Sequence, residues 1–415
     1  MYSERYRTHH DASRQLKDSY KLDIDKDNYV LKTLNQSAIR DRVLYIHVPY
    51  CNKICSFCPF HRPDRVKRDD YYKLIIEELE YIASFPYAKK PLKAINFGGG
   101  TPTAIRPIHM DMILKTLKRL FIYDEDIEIS VETSITELSK DMIKALKDGG
   151  VNRLSIGVQT FDDEGRKLLN RRGSGQRAID KIKELKEYGF ENINIDLIYN
   201  YPHQTIESLK RDIEIIKSLK LAGISFYSLM IHEKTPIAKL ITDDDRKAMN
   251  DKKREFEMFK TIVLELEKDG FMPFEFTKLI RNNLDRYLYM DVRHNQGDCI
   301  AIGLGAGGNI GNYIYHNKEG FKKLEKAQIS AMGRIEDDYY FKLDELVHNL
   351  ERGSFTFTKY NKLLNLNLKD KWDVALKRLE EEKLIELKDD KIIFTLLGMF
   401  YGNNIIDELI GILIK

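Results

Sequence analysis

A regular alternation of two patterns between residues 43 and 230 constrains the fold of this chain most strongly. Short runs rich in β-branched residues alternate with amphipathic helical stretches, so the strands are joined by helices and not by tight turns. This order is typical of an α/β protein whose parallel strands close into a full or partial barrel, with its functional groups at the carboxyl ends of the strands. The predicted strands are 44–47, 94–97, 127–132, 153–158, 193–197 and 224–229, and the predicted helices are 71–82, 110–120, 140–146, 178–188 and 206–219.

The length of 415 residues predicts more than one domain, because single cores stop growing beyond about 250–300 residues. Residues 1–40 are polar and are expected to form an N-terminal extension laid over a domain. Residues 41–270 contain the predicted barrel, and residues 271–335 form a segment that covers it and carries a glycine-rich loop. Residues 336–415 combine helices with a strand pair, which resembles a small winged-helix-like domain.

Charge and hydropathy exclude several classes of protein. The chain has 68 Lys and Arg against 65 Asp and Glu, so it offers no broad cationic field for nucleic acid. No stretch approaches the roughly 18 apolar residues that a membrane span needs, and the N-terminus lacks an apolar run. Three of the four cysteines fall within eight positions, which is not a disulfide framework. We therefore expect a cytoplasmic protein in a reducing compartment.

Three cysteines directly follow the first predicted strand. Cys51, Cys55 and Cys58 can hold three corners of an iron–sulfur cluster through their thiolates and leave one iron without a protein ligand. The alternative is a structural zinc site, in which His61 or His47 supplies the fourth ligand. Both interpretations use the same loop.

Six sequence blocks together resemble those of one enzyme family, the HemN-like radical S-adenosylmethionine (SAM) enzymes. The resemblance covers residues 40–310 and implies a partial (β/α)6 TIM-like barrel, with Cys51, Cys55 and Cys58 as the catalytic [4Fe–4S] ligands. The blocks are YIHVPYCNKICSFC at 45–58, FGGGTPT at 97–103, Glu132, RLSIGVQTF at 153–161, NIDLIY at 194–199 and RHN at 293–295.

The resemblance also implies which residues bind SAM. Arg171 matches the partner of the SAM carboxylate, although an arginine there is otherwise a solvated helix end. Phe57 is expected to pack on adenine, or alternatively to anchor the loop. The full set implied by the family is Tyr45, Phe57, Gly99, Gly100, Thr101, Glu132, Gln159, Arg171, Asp196 and Ile198.

HemN-like enzymes use two SAM molecules, and the positions implied near the second one match here. They are Phe57, Gly99, Thr101, Gln159, Asp196 and Ile198. One position differs from the pattern of the coproporphyrinogen dehydrogenases, which carry a further cysteine two residues after the third ligand. Because Phe60 stands there, the resemblance makes decarboxylation of coproporphyrinogen the weaker expectation.

A glycine-rich segment, GLGAGG at 303–308, fits the dinucleotide fingerprint only superficially. No helix start follows it, so the nucleotide interpretation fails. The segment is similar instead to a loop of the anaerobic haem-degrading branch, the ChuW/HutW/HmuW-type methyltransferases or anaerobilin synthases. That similarity implies a radical SAM methyltransferase that methylates a meso carbon of haem, opens the macrocycle and releases iron. The residues predicted near substrate are His232, His294, Gly307, Gly308 and His316.

Several functions stay open at this stage. The rivals are a HemN-like haem chaperone, a coproporphyrinogen III dehydrogenase, a related methyltransferase on another substrate and a zinc-stabilised barrel. The resemblance implies haem or a related tetrapyrrole as substrate and a flavodoxin-like low-potential electron donor as partner.

Overall fold

The structure is a computed structural model that describes residues 2–16, 20–59, 69–281, 284–317 and 333–414. Its centre is a curved sheet in which six strands run parallel in chain order. The six predicted strands are all confirmed. They are β2 (Arg42–Val48), β3 (Leu92–Gly99), β4 (Tyr123–Thr133), β5 (Arg153–Gln159), β6 (Asn192–Tyr199) and β7 (Gly223–Ser228), after a short β1 (Lys21–Leu22) in the N-terminal extension.

Helices connect these strands and cover the outer face of the sheet, as the alternation predicts. The N-terminal extension contributes α1 (His9–Ala12) and α2 (Lys26–Leu34). The barrel helices are α3 (Tyr71–Ala83), α4 (Pro107–Leu120), α5 (Lys140–Asp148), α6 (Asp163–Leu168), α7 (Gly175–Glu187), α8 (Ile206–Ser218), α9 (Asp243–Met249) and α10 (Lys252–Glu267).

The strands have one apolar and one polar face. In β6, Ile195 and Leu197 are fully buried in the main hydrophobic core, whereas Asn194 and Asp196 alternate with them and face the barrel interior. Because successive side chains in a strand point to opposite faces, the same sequence supplies the core outside and polar groups inside.

The segment after residue 270 extends the same sheet on both edges, which the sequence did not predict. On one edge, β9 runs antiparallel to β7, and β8 pairs with β9; on the other, β10 runs parallel to β2. These elements are β8 (Met272–Glu275), β9 (Lys278–Ile280), α11 (Leu288–His294), β10 (Asp298–Ile302), β11 (Gly307–Ile310), β12 (Tyr313–His316) and β13 (Arg334–Glu336). Within the described residues the sheet has 13 strands, because β11, β12, β13 and β1 continue it.

The C-terminal part has the element order of a winged helix, with a separate three-stranded antiparallel sheet ordered β14-β16-β15. Trp372 is fully buried in its core, and its indole N–H donates to the carbonyl of Leu409 over 2.9 Å. The elements are α12 (Asp338–Leu350), β14 (Ser354–Thr356), α13 (Phe357–Leu364), α14 (Leu368–Glu381), β15 (Ile385–Lys388), β16 (Lys391–Phe394), α15 (Leu396–Phe400) and α16 (Gly402–Ile414). The domain boundaries at residues 40, 270 and 335 stay predictions.

The N-terminal extension joins the barrel to the C-terminal module. Arg5 and Arg7 both pair with Glu255 on α10, whose side chain is fully buried. The Arg5 guanidinium also donates to the carbonyl of Phe400 over 2.8 Å. None of the helices in the described ranges has the length and apolar character that crossing a membrane requires.

Candidate active site

A cavity of about 260 Å³ opens at the carboxyl ends of the parallel strands. Its wall contains residues from five successive strands or the loops that follow them, β2 to β6. The predicted site residues that line it are Cys51, Cys55, Phe57, Cys58, Gly99, Gly100, Thr101, Glu132, Gln159, Arg171 and Asp196.

The three cysteines are partly accessible and turn toward this cavity. The hydroxyl of Thr101 donates to the sulfur of Cys51 over 3.4 Å, and the guanidinium of Arg171 donates to the sulfur of Cys55 over 2.9 Å. In the described part of the chain, the three sulfurs are not a set in which all lie within 4.8 Å of one another. Sulfur atoms of one tetrahedral zinc ion would lie about 3.8 Å apart.

Of the two histidines considered as a fourth zinc ligand, His47 is engaged in other contacts. His47 has its Nδ1 2.9 Å from the hydroxyl of Tyr45, and burial lowers the pKa of its imidazole to about 4. The ring packs against Gly99 rather than facing the cysteine sulfurs. His61, the other candidate, lies outside the described residues.

The cysteine loop is fixed by the segment after α6. The Ser56 hydroxyl donates to the carbonyl of Leu168 over 2.7 Å, and the Asn170 side chain donates to the carbonyl of Ile54 over 2.7 Å. Phe57 packs against a small apolar cluster that includes Ile198. These contacts hold the loop through its polar and apolar residues, while its three cysteines line the cavity.

The glycines after β3 form a close-packed cradle. Gly99 has φ of 109°, a left-handed conformation that other residues rarely adopt, and a Cβ there would lie 2.7 Å from the His47 ring. A Cβ at Gly100 would lie 2.7 Å from the carbonyl of Tyr50 and 3.0 Å from the Cys51 sulfur. Only glycine therefore lets the backbone pass so close to the cysteine loop.

Two carboxyl groups lie on the opposite wall. Burial and, to a smaller extent, the neighbouring Asp196 together raise the pKa of Glu132 to about 7; burial also raises the pKa of Asp196. The partners of Glu132 are the Asn96 side chain and the backbone N–H of Gly99. A wall of desolvated carboxyl groups favours a cationic ligand, which would lower both pKa values.

Gln159 enters the cavity because β5 ends in a bulge. The register to β6 shifts between Gly157 and Gln159, and Gln159 has φ of 74°. Such a bulge redirects the side chain, and a left-handed residue other than glycine is frequent at functional sites. Arg171 reaches the same place and also donates to the carbonyl of Gly157.

Tyr45 and Ile198 lie beside the cavity rather than in its lining. The Tyr45 ring packs next to Gly98, and Ile198 is buried at 5% exposure on β6.

The five residues predicted near substrate are not gathered in one place. His232 follows β7, whereas Gly307 and His316 are register partners in the β11–β12 pair, toward the other edge of the sheet. A Cβ at Gly308 would lie 2.2 Å from the carbonyl of Cys299. Their proximity to substrate stays a prediction.

His294 is enclosed, with 2% of its surface exposed. Its ring stacks on that of His348 with centroids 4.0 Å apart and an angle of 6° between the planes. Ligand atoms of His294, His348 and Glu351 lie within 4.8 Å of one another. However, metal–nitrogen bonds lie in the imidazole plane, so two parallel rings cannot point at one ion.

An ion pair explains this cluster better. Burial opposes a charge on His348, but Asp344 and Glu351 outweigh it and raise the pKa of the imidazole to about 9. Its Nδ1 lies 2.9 Å from Glu351. A protonated His348 stacked on His294 therefore joins α12 to α11.

A buried polar network inside the barrel was not predicted. Arg153 and Asp285 form a doubly hydrogen-bonded pair at 3.0 Å, and Lys278 lies 3.3 Å from Asn194. Arg153 and Lys278 both lie over the ring of Tyr287. No local signal reveals this network, because Asp285 lies 132 positions from Arg153 in the chain.

Comparison with known proteins gives the family. The sequence model of the radical SAM superfamily matches residues 45–216. The solved structure described as "Coproporphyrinogen III oxidase (HemN) from Escherichia coli is a Radical SAM enzyme" has a TM-score of 0.78 at 22% identity, with 94% of each chain covered. Residues 45–216 of this chain therefore match the radical SAM superfamily, and its fold is that of the HemN structure.

Two curated relatives of this radical SAM protein have different functions. It is 27% identical over 383 residues to the haem chaperone HemW of Bacillus subtilis, which covers 88% of this chain and 98% of that protein. It is 29% identical over 290 residues to the anaerobilin synthase of Escherichia coli O157:H7, which covers 69% of this chain and 65% of that protein.

The cofactors of the family are a [4Fe–4S] cluster and SAM, and the described residues fit both. The three cysteines line one cavity and offer three thiolates to a cluster. The glycine cradle admits backbone contact with a ligand, and the facing carboxyl groups of Glu132 and Asp196 suit the positive sulfonium and ammonium groups of SAM.

Proposed function

We propose that this protein is a radical SAM C-methyltransferase that methylates a meso carbon of haem, opens the macrocycle without oxygen and releases iron. Two SAM molecules are consumed in this proposal, and a flavodoxin-like donor supplies electrons. The observation that carries the enzymatic part is the single cavity in which three cysteines face two desolvated carboxyl groups. A protein that only stored a cluster would not need that opposing wall.

The site residues have different chemical roles in this proposal. Cys51, Cys55 and Cys58 hold the cluster, which together with bound SAM supplies a 5′-deoxyadenosyl radical on reduction. Arg171 binds the SAM carboxylate through a charge-assisted hydrogen bond. Glu132 binds a cationic group of SAM from the opposite wall.

The remaining residues orient SAM and exclude water. Phe57 packs on adenine from the cysteine loop, next to Ile198, while Gly99, Gly100 and Thr101 bring the backbone close to the ligand. Gln159 and Asp196 supply polar contacts from the ends of β5 and β6. Tyr45 has an indirect role: its hydroxyl contacts the His47 ring, which packs against Gly99 of the cradle.

The choice of haem rests on the relatives and on the loop at 303–308. The names of the two curated relatives refer to haem or to the product anaerobilin, and the loop resembles that of the haem-degrading branch. His232, Gly307, Gly308 and His316 are proposed to lie near this substrate. The enclosed His294 would have to leave its stack on His348 to reach it.

One incubation tests substrate and reaction together. The reconstituted, oxygen-protected protein is incubated with haem, methyl-labelled SAM and a low-potential reductant, and the products are analysed by mass spectrometry. We expect a linear tetrapyrrole that carries one labelled methyl group. Cys55→Ala protein, treated in the same way, is the control for chemistry by the reductant alone.

The second candidate is a haem chaperone. It is favoured by the match to HemW over 98% of that protein, compared with 65% of the anaerobilin synthase. In the same incubation, a chaperone would return unaltered haem and intact SAM, and it would transfer haem to an apoprotein. That result would replace the enzymatic proposal.

A further inference from the structure

Of the six strands that run parallel in chain order, five carry assigned cofactor residues at the mouth of the barrel. The predicted ligands of the cluster and of SAM follow β2, β3, β4, β5 and β6 in order. The sixth parallel strand, β7, carries none of them. Functional groups of such barrels are gathered at the carboxyl ends of several strands, so the carboxyl end of β7 is a place where a further ligand can bind.

The residue at that end is Tyr227, one position before the last residue of β7. It is level with Ile198 of β6 and lies on the face of Asp196, because the strand register pairs Ile198 with Tyr227 and Asp196 with Ser225. Tyr227 therefore faces the barrel interior at the height of the SAM residues.

Its accessibility is unusual for a central strand. The other residues of β7 are buried, yet 45% of the surface of Tyr227 is exposed. Ile224 and Phe226, which alternate with it, are fully buried in the core outside the barrel. The exposed surface thus lies inside the lumen, where surrounding walls still raise the pKa of the phenol and keep it protonated.

We infer that Tyr227 contacts the substrate, and that its ring packs against the uncharged face of a planar tetrapyrrole. This inference rests on the proposed function. The carboxyl groups of Asp196, Glu275 and Glu132 lie around the phenol. They repel the anionic edge of the substrate, so the conjugated face of the macrocycle is the part that fits there.

The side chain of Tyr287, which lies beside Tyr227, is held in a fixed position. The Tyr287 ring lies near Tyr227 and is held by the Arg153 guanidinium at 4.0 Å and the Lys278 ammonium at 4.7 Å from its centroid. Its backbone has φ of 45°, which few residues other than glycine adopt. A fixed wall next to an accessible ring makes Tyr227 a residue that selects substrate by shape.

The test measures binding of haem and of SAM separately to the reconstituted full-length protein and to three variants. Tyr227→Ala removes the ring and is expected to weaken haem binding about tenfold, the loss of an aromatic contact. Tyr227→Phe keeps the ring and is expected to restore haem affinity to within about threefold of the original. In both variants the dissociation constant of SAM is expected to change less than about twofold.

Tyr188→Ala is the matched control, because Tyr188 is 37% exposed beyond the end of α7 on the outer surface. Unchanged haem affinity in Tyr227→Ala would overturn the inference. So would equal losses of haem and SAM affinity, since Tyr227 would then support the cofactor site. If the unmodified protein binds no haem, the proposed function itself fails, and that result is separate because it appears before any variant is compared.

Discussion

Two buried glutamates in different regions have opposite electrostatic environments. Glu255, at the junction of the N-terminal extension and the barrel, is paired with Arg5 and Arg7; burial opposes its charge, but the two arginines outweigh it and lower its pKa. Glu132, at the barrel mouth, accepts hydrogen bonds from the Asn96 side chain and the Gly99 N–H; burial raises its pKa to about 7, and Arg153 offsets only a small part of that rise. At the junction, the charge of Glu255 is neutralised by two arginines of the same protein. At the barrel mouth, the charge of Glu132 is expected to be neutralised by a bound cationic ligand.

The strongest test of the mouth removes one cysteine. In Cys55→Ala we expect loss of the cluster and no detectable 5′-deoxyadenosine, because two thiolates cannot hold the three occupied corners. Iron, sulfide and deoxyadenosine are measured after anaerobic reconstitution. Cys299→Ala is the control, since Cys299 is fully buried in β10 and away from the cavity. Retained turnover in Cys55→Ala would remove the cluster from this loop.

A change at the junction is expected to affect stability and not chemistry. Glu255→Gln leaves two arginines without their carboxylate, which should lower the free energy of unfolding by about 3 kcal/mol in urea titrations at pH 7. Because the pKa of Glu255 is lowered on folding, its contribution is full above the unfolded value of about 4.5 and is lost as the pH falls below it.

The matched control for that change is Glu265→Gln. Glu265 also pairs with two cations, Lys217 and Lys268, but at the surface, where screening makes such pairs weak. We expect its unfolding midpoint to stay close to that of the unmodified protein. If both variants lose the same free energy of unfolding, the buried ion pairs of Glu255 stabilise the protein no more than the surface pairs of Glu265.

A substitution of Arg171 tests how this arginine at the barrel mouth binds SAM. Arg171→Lys keeps the charge but loses the planar fork, so we expect the dissociation constant of SAM to rise about tenfold. Equilibrium binding to the reconstituted protein measures it. The control is Arg177→Lys on the exposed side of α7. An unchanged constant in Arg171→Lys would assign this arginine to the loop alone.

The smallest expected effect is a pH dependence at Glu132. With a pKa of about 7, its ionised fraction rises about tenfold between pH 6 and 8, and the affinity for the cationic SAM should rise with it. Glu132→Gln should remove that part of the pH dependence, which separates it from titration of SAM itself. Identical pH profiles for the two proteins would contradict a cation contact at this carboxyl group.

The sequence predicted the periodic parts of the fold well. All six parallel strands and five of the helices between them were legible, because apolar positions repeat with the spacing of each element, whereas the short α6 was not predicted. The cysteine loop and the glycine run were also legible, since each is contiguous. The sheet extensions β8 to β13 were not predicted, because short strands become recognisable only when a partner strand is known.

In the candidate site, too, some features could be predicted from the local sequence and others depend on tertiary contacts. Its members from Cys51 to Asp196 line one cavity, as the blocks implied, but the bulge that turns Gln159 inward depends on pairing with β6. The enclosure of His294 depends on His348 of α12, which lies 54 positions later in the chain. Tyr227 carries no local signal, because an inward tyrosine and a core tyrosine look alike in a strand.

The sequence alone determined the elements, the ligand loop and the family, since these depend on spacing along the chain. The tertiary structure decided which charges are compensated and which face of each strand is accessible. Those properties depend on pairs such as Arg153 and Asp285, or Arg5 and Glu255, that are joined only after the chain has folded. Local patterns carry no information about such distant partners.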